Sequence, residues 1–251
     1  MSKILEVKHL KKNFSNKKVL DDINFSLNVG ECLGIVGRSG CGKSTLARVI
    51  SRFIDVDSGE IIFDGEEITN LKNLREVYQK MQMIFQMPEE SFNPRHTLGW
   101  SIGEPLRNNN FDNVDHRIKN LLVEVGLTEE FAKRYPHEVS GGQCQRAAIA
   151  RSIALSPKLL ICDEATSALD ISVQSQIIKL LRKFCTEKKI AMLFITHDLT
   201  ILKQIADRVM VMHDGKFVEE GTPIEIINNS KSQFTKELTK ANFFNKCEVT
   251  E

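Results

Sequence analysis

The feature that most constrains the fold is a glycine-rich loop between an apolar segment and a helix-like segment. The loop occupies residues 37–45 and reads Gly-Arg-Ser-Gly-Cys-Gly-Lys-Ser-Thr. The run before it, residues 32–36, is apolar apart from one glycine and predicts a buried strand, whereas residues 43–53 have helical periodicity. A buried strand that enters a helix through such a loop is typical of the P-loop. We therefore expect an α/β fold with a P-loop sheet core.

The same loop predicts a phosphate site. Its glycines let backbone N–H groups converge on the β- and γ-phosphates of ATP, and the positive end of the following helix faces the anion. Lys43 is placed to reach phosphate oxygens and Ser44 to ligate Mg²⁺. A glycine turn with an exposed lysine is the alternative. The predicted nucleotide contacts are Gly37, Arg38, Ser39, Gly40, Cys41, Gly42, Lys43, Ser44 and Thr45.

A second predicted strand, residues 159–162, ends in two carboxylates. Open α/β sheets bind ligands at the carboxyl ends of their strands, so Asp163 and Glu164 are expected beside the phosphate loop. Asp163 would hold Mg²⁺ directly or through water, and Glu164 would polarise the attacking water. A solvated turn is the alternative, and the phosphate loop about 120 residues earlier favours the catalytic interpretation.

A further glycine turn, Ser140-Gly141-Gly142-Gln143, opens a helix-like stretch over residues 143–155. Its N–H groups would form a second anion site with a serine hydroxyl beside it. One ATP does not need two such loops from one chain, which suggests two chains that share two nucleotides. A plain helix N-cap is the alternative.

The patterning predicts one domain over residues 1–251. Short β-type runs up to about residue 35 indicate antiparallel strands. An α/β core takes residues 1–87 and 157–225, a helical subdomain is inserted over residues 88–156, and residues 226–251 form a C-terminal helical tail.

Composition removes several classes of function. Lys plus Arg is 34 against 33 for Asp plus Glu, so the basic excess of a dedicated nucleic-acid binder is missing. The longest apolar runs fall far short of the roughly 20 residues that cross a bilayer. The first residues lack the pattern of a signal peptide, so we expect a cytosolic protein. The cysteines show no zinc-like spacing and are expected to be free thiols.

With these motifs in this order, the sequence resembles the ATP-binding subunits of ATP-binding-cassette (ABC) transporters over essentially the whole chain. Three further features carry the resemblance: Gln86 in Ile-Phe-Gln, the Ser-Ala-Leu-Asp turn at residues 167–170, and His197 in Ile-Thr-His-Asp. The resemblance implies a P-loop NTPase (RecA-like) sheet core with an N-terminal antiparallel β region and an inserted helical subdomain. Val139 and Cys144 depart from the usual signature.

The resemblance also implies roles. Gln86 would contact Mg²⁺ or the attacking water and sense a transmembrane partner. His197 would hold the γ-phosphate near Glu164, with a structural histidine as the alternative that the residues alone favour. Phe14 would stack on adenine, with an ordinary core phenylalanine as the alternative. Asp170 would cross a dimer interface, with a helix N-cap as its alternative. The implied catalytic set is Glu164, His197, Gln86 and Lys43, and the implied magnesium set is Ser44, Gln86 and Asp163.

Residues 85–95, 104–106 and 135–138 resemble the branch that serves oligopeptide, dipeptide and nickel importers. This branch implies a second ATPase subunit, two permeases, an extracytoplasmic solute-binding protein, no nucleic acid, and a place on the cytoplasmic face of the membrane. A compact C-terminus with Cys247 alone resembles the nickel type, so metal or metal-chelate cargo is favoured and peptide is the alternative.

Two other classes stay open at this stage. An exporter ATPase would share the motifs. A cassette ATPase that acts on nucleic acid or the ribosome usually carries coiled-coil insertions, zinc modules or two cassettes in one chain, which this sequence lacks.

Overall fold

A computed structural model describes residues 2–15 and 17–247. Its strands are β1 (Lys3–Phe14), β2 (Lys17–Asn28), β3 (Cys32–Val36), β4 (Ser58–Phe63), β5 (Glu66–Glu67), β6 (Met81–Ile84), β7 (Leu159–Asp163), β8 (Ala191–Thr196), β9 (Arg208–His213) and β10 (Lys216–Gly221). Its helices are α1 (Lys43–Ile50), α2 (Arg75–Lys80), α3 (Leu98–Asn108), α4 (Val114–Glu124), α5 (Gly141–Ile153), α6 (Ile171–Lys188), α7 (Leu199–Ile205), α8 (Pro223–Asn228) and α9 (Gln233–Cys247).

The central sheet has the strand order β10-β9-β3-β8-β7-β6. Its strands from β9 to β6 are parallel, and β10 adds an antiparallel edge. Every residue of β3, β7 and β8 is buried, as expected for strands covered on both faces. Val36 pairs with Thr196 and Asp163 pairs with Ile195. The segments that follow these strands therefore leave the sheet at one edge.

A second, antiparallel sheet has the order β2-β1-β4-β5. Helix α1 packs with it, because Leu46 and Ile50 share one buried cluster with Leu5 of β1 and Ile35 of the central sheet. The expected N-terminal strands were shorter than the observed ones. Repeated register shifts carry the β1–β2 pairing through polar residues as far as Phe14, where apolar alternation gives no signal.

Residues 88–156 carry α3, α4 and α5 with short 3₁₀ segments between them, and no strand among these described residues. Their apolar side chains, among them Leu98, Leu122 and Ile149, join the buried cluster beneath α6 and α7. This arrangement is a helical lobe that packs against one face of the central sheet.

Two helix boundaries differ from the prediction, and the predicted C-terminal tail is described only in part. Helix α1 ends at Ile50 and not at residue 53, because the Ser51 hydroxyl bonds back to the Ala47 carbonyl and Arg52 has a left-handed φ of 59°. Helix α5 begins at Gly141, directly after its Ser140 cap. Helix α9 extends to Cys247, whose side chain lies outside the described part, as do residues 248–251 of the predicted tail.

Candidate nucleotide site

The phosphate loop is fixed at its ends and open in its middle. A Cβ on Gly37 would lie 2.3 Å from the Met212 carbonyl oxygen, so only glycine fits against β9 there. Gly42 has a φ of 111°, which favours glycine, and caps α1. A Cβ on Gly40 would meet no heavy atom within 4 Å. The loop therefore forms a rigid cradle whose centre has room for a ligand.

The Lys43 side chain is folded into this cradle. It is only 5% exposed, and its ammonium donates to the carbonyl oxygens of Gly37, at 2.8 Å, and Arg38, at 3.1 Å. Cys41 is also buried, and burial raises the pKa of its thiol. The loop thus holds a buried positive charge at the centre of its open side, which suits a polyphosphate.

Ser44 and Asp163 bring two hard oxygen ligands together across 119 residues of sequence. The Ser44 hydroxyl donates to Asp163 Oδ1 at 3.0 Å. Burial raises the pKa of Asp163, and the Ser44 hydrogen bond opposes that rise. Gln86 lines the same cavity of about 380 Å³, together with Arg48 of α1. A hydroxyl, a carboxylate and an amide oxygen suit Mg²⁺, so the residues fit the predicted ion.

Glu164 and His197 face each other on the other side of the loop. The nearest atoms, His197 Nδ1 and Glu164 Oε1, are 3.5 Å apart. Glu164 has a left-handed φ of 49°, and its N–H donates to the Ile195 carbonyl at 3.0 Å. Such a conformation costs a residue other than glycine on the order of 1–3 kcal/mol. Both residues line a groove of about 490 Å³ with Gly37, Arg38 and Ser39.

Ser140 and Gln143 cap their own helix. The Ser140 hydroxyl accepts from Gln143 N–H at 3.3 Å, and the Gln143 side chain accepts from Ser140 N–H at 2.9 Å. Gly142 is packed tightly, since a Cβ there would lie 2.5 Å from Val173 Cγ1. Gly141 is open, with the nearest atom 3.9 Å from an added Cβ. In the single chain, the contacts of Ser140 and Gln143 are those of a capping box.

Comparison with known proteins decides the family. The family model for the ABC transporter matches residues 20–167, more than half of the chain. This chain belongs to the ABC transporter family. The oligopeptide transport ATP-binding protein OppF of Bacillus subtilis is 44% identical over 250 residues, which cover 95% of this chain and 82% of OppF. OppF of Haemophilus influenzae is 41% identical over 257 residues, which cover 95% of this chain and 77% of that OppF.

Solved structures agree with this assignment. The ATP-binding cassette MJ0796, in a dimeric post-hydrolysis state with ADP and Pi, superposes with a TM-score of 0.80 at 27% identity and covers 88% of this chain and 99% of that one. The cbiO1 protein of Clostridium perfringens is part of the ABC transporter complex cbiONQ. It superposes with a TM-score of 0.83 at 29% identity, and the match covers 100% of this chain and 96% of cbiO1. The expected P-loop NTPase fold and ATPase class are confirmed, and the chain is an ATP-binding ATPase of this family.

Two more predicted residues can be placed in this ABC ATPase. Phe14, at the end of β1, is 43% exposed, with the Lys12 ammonium 5.4 Å from the ring centroid. The ring is therefore not an ordinary core phenylalanine. Asp170 caps α6 by accepting from Val173 N–H at 3.0 Å, and this bond, with one from Ser172, lowers the pKa of Asp170.

The sequence analysis missed several residues that line the two cavities. Arg48 lies beside the magnesium set. Leu238, Ala241 and Asn242 of α9 form part of the groove that holds Glu164 and His197. No motif marks them, because the groove is assembled only when α9 folds back across the phosphate loop.

Proposed function

We propose that this chain is the ATP-hydrolysing subunit of an importer, and that it works as one of two cassettes beneath a pair of permeases. The observation that carries the proposal is the convergence on one phosphate loop of two pairs that are distant in sequence, Ser44–Asp163 and Glu164–His197. The OppF proteins and a glutathione import ATP-binding protein favour an importer over an exporter or an ATPase acting on nucleic acid.

Each side chain has a definite task in this proposal. Lys43 exchanges its carbonyl partners for oxygens of the β- and γ-phosphates, while Ser44, Asp163 and Gln86 hold Mg²⁺. When bound, Mg²⁺ offsets the negative charge of the phosphate oxygens. Glu164 accepts a proton from the attacking water, and His197 donates a hydrogen bond to the γ-phosphate. The short distance between Glu164 and His197 would place water and phosphate within reach of both residues.

The signature residues Ser140–Gln143 would act on a nucleotide held by a second cassette. They do not line either cavity at the phosphate loop in the part of the chain that is described. The open space beside Gly141 allows a phosphate of another chain to approach the N-terminus of α5. Asp170 caps the neighbouring helix α6 and would meet the same partner.

The permease would dock in a groove between β6 and α3. Phe53 is 52% exposed there and stacks on Phe85, with ring centroids 6.2 Å apart, and its ring makes a tilted contact with that of Tyr78 at 5.9 Å. Glu104 and Pro105 form the opposite wall. Phe85 directly precedes Gln86 in the chain. A displacement of Phe85 on docking would therefore also move Gln86, one of the three residues proposed to hold Mg²⁺. A cytoplasmic segment of the permease, with an apolar side chain, is the proposed occupant.

This assembly would place the chain on the cytoplasmic face of a membrane as a peripheral subunit. Over residues 2–15 and 17–247, none of the helices has the length and apolar character needed to cross a bilayer. The proposed division is a core of residues 1–87 and 157–225, a signature lobe of 88–156 and a tail of 226–251. An extracytoplasmic protein would deliver the cargo.

Peptides are the proposed cargo. The sequence analysis favoured metal or a metal chelate, but the OppF relatives are oligopeptide transport ATP-binding proteins. Another relative, of Sinorhizobium fredii, is described as a probable peptide ABC transporter ATP-binding protein and is 46% identical over 222 residues. The similarity reverses the earlier preference.

Deletion of the gene tests the cargo. We expect loss of growth on short peptides as the sole source of a required amino acid, with unchanged cellular nickel, cobalt and zinc in metal-poor medium. A chromosomal copy carrying Glu164→Gln should behave as the deletion does, which ties uptake to hydrolysis. Normal growth on peptides together with a fall in one metal would overturn the peptide assignment.

A further inference from the structure

Helix α9 forms one wall of the catalytic groove. Leu238, Ala241 and Asn242 face the groove opposite the phosphate loop and the Glu164–His197 pair. Leu238 is itself buried at 4% exposure. The C-terminal part of the chain is therefore a component of the site and not only a tail.

The first turns of α9 are attached to the phosphate loop. The Arg38 guanidinium lies 5.3 Å from the centroid of the Phe234 ring, and its Nη2 is 3.5 Å from a carboxylate oxygen of Glu237. On β9, His213 stacks on the same ring with centroids 3.8 Å apart and an angle of 18°. Phe234 thus anchors α9 to both the loop and the sheet.

A later turn of α9 is attached to the segment that carries His197. Helix α7 begins at Leu199, two residues after His197, and the first N–H groups of a helix have no acceptor within the helix. Asn242 Oδ1 accepts from Leu199 N–H at 3.3 Å, while Asp198 accepts from Thr200 N–H at 2.7 Å. Asn242 Nδ2 donates to the Leu238 carbonyl at 3.0 Å, which fixes the orientation of the amide.

We infer that α9 is a brace between the phosphate loop and the switch segment, and that Asn242 is a positioning residue for His197. The inference rests on the proposed role of His197 at the γ-phosphate. Arg38 and Phe234 hold one end of the brace, and Asn242 sets where α7 starts and so where His197 lies relative to Glu164. Since one chain supplies every contact, the brace needs no partner subunit.

Steady-state hydrolysis by the assembled transporter tests the brace. Asn242→Ala should lower kcat about fivefold, the effect of one hydrogen bond of typical strength, and leave KM for ATP within about twofold. Lys236→Ala, at an exposed position of the same helix, is the control and should change neither constant. Asn242→Asp keeps the acceptor oxygen for Leu199 N–H but loses the donor to the Leu238 carbonyl, so it should recover part of kcat. The melting temperature of the isolated subunit should fall by no more than about 4 °C in all three variants, the shift expected when one typical hydrogen bond is lost in a chain of this size.

The His197→Ala variant distinguishes a failure of the proposed function from a failure of the brace. This variant should slow hydrolysis strongly, and addition of Asn242→Ala to it should cost nothing more, because the two residues act through the same contact. Undiminished hydrolysis in His197→Ala would remove the proposed function itself. Slow hydrolysis in His197→Ala with a normal kcat in Asn242→Ala, or with an independent further loss in the double variant, would overturn the brace alone.

Discussion

The phosphate loop and the signature loop are built alike, yet they do different things in the single chain. Each is a glycine turn that opens a helix, with a serine hydroxyl at the helix start. In the phosphate loop, Ser44 reaches across to Asp163 and Lys43 is held inside the cradle. In the signature loop, the hydroxyl of Ser140 caps its own helix.

This difference indicates which chain holds the ligand of each loop. The phosphate loop is surrounded by the side chains that are proposed to bind Mg²⁺ and to activate water, so its half of the proposed site lies within one chain. The signature loop has open space beside Gly141. Among the described residues, those that line the two cavities at the phosphate loop do not include residues 140–143 of the signature loop. We infer that its ligand arrives from outside, on a second cassette.

The largest expected effect concerns the phosphate-loop side. Glu164→Gln should keep ATP binding and lower hydrolysis by about 10²- to 10⁴-fold, because it removes the carboxylate that is proposed to accept the proton of water. Single-turnover hydrolysis measures it, and the bound ATP should trap a dimer. Glu130→Gln, an exposed change of the same kind, is the control. A rate within about threefold of the native chain would mean that Glu164 is not the base.

A smaller effect is expected from the buried cation. Lys43→Ala should weaken ATP binding to the isolated subunit roughly 10- to 100-fold, since a charge-assisted hydrogen bond contributes about 1.5–3 kcal/mol. Equilibrium binding of a fluorescent ATP analogue measures it. The exposed Lys72→Ala is the matched control and should bind as the native chain does. Equal affinity in Lys43→Ala would remove the phosphate-loop assignment.

The smallest expected effect separates two adjacent glycines of the signature loop. Gly142→Ala should destabilise the isolated subunit by about 1–3 kcal/mol, because its Cβ would press on the stiff, β-branched Val173 at 2.5 Å. Gly141→Ala should leave the free energy of unfolding unchanged or raise it by up to about 1 kcal/mol. Urea unfolding compares the two.

In the assembled transporter the order of these two variants should reverse for activity per folded molecule. Gly141→Ala should slow hydrolysis because its methyl group occupies the space offered to the partner's phosphate. If Gly141→Ala destabilises the subunit as much as Gly142→Ala, the loop is not open and the comparison between the two loops fails.

The sequence predicted the phosphate loop because its chemistry is local: glycines at fixed spacing set the backbone, and the neighbouring lysine and serine follow. It also predicted that Asp163 and Glu164 lie at the same sheet edge as the phosphate loop, since the strands before them run parallel in one sheet. The roles of the site residues in binding and catalysis, those of Phe14, Gln86 and Asp170 included, stay predictions.

What the sequence could not provide lies in tertiary contacts. The strands β1 and β2 extend beyond the residues in which apolar and polar side chains alternate, because backbone pairing continues through bulges. Asn242 has no motif around it, and only the packing of Phe234 against Arg38 and His213 brings it to the start of α7. Such contacts depend on how distant elements meet, and periodicity carries no information about that.

Mixed assemblies test the central claim, that each signature loop serves the nucleotide of the opposite chain. Lys43→Ala alone and Ser140→Arg alone should each abolish hydrolysis, while Ser140→Arg keeps the ATP affinity of the isolated subunit. A transporter that contains one copy of each variant has one intact site, formed by the native phosphate loop of the Ser140→Arg chain and the native signature of the Lys43→Ala chain. Hydrolysis, measured as phosphate release, should return in the mixture to a substantial fraction of the native rate. Hydrolysis that stays absent in mixtures whose assembly is verified, or ATP affinity that Ser140→Arg lowers in the isolated subunit, would contradict it.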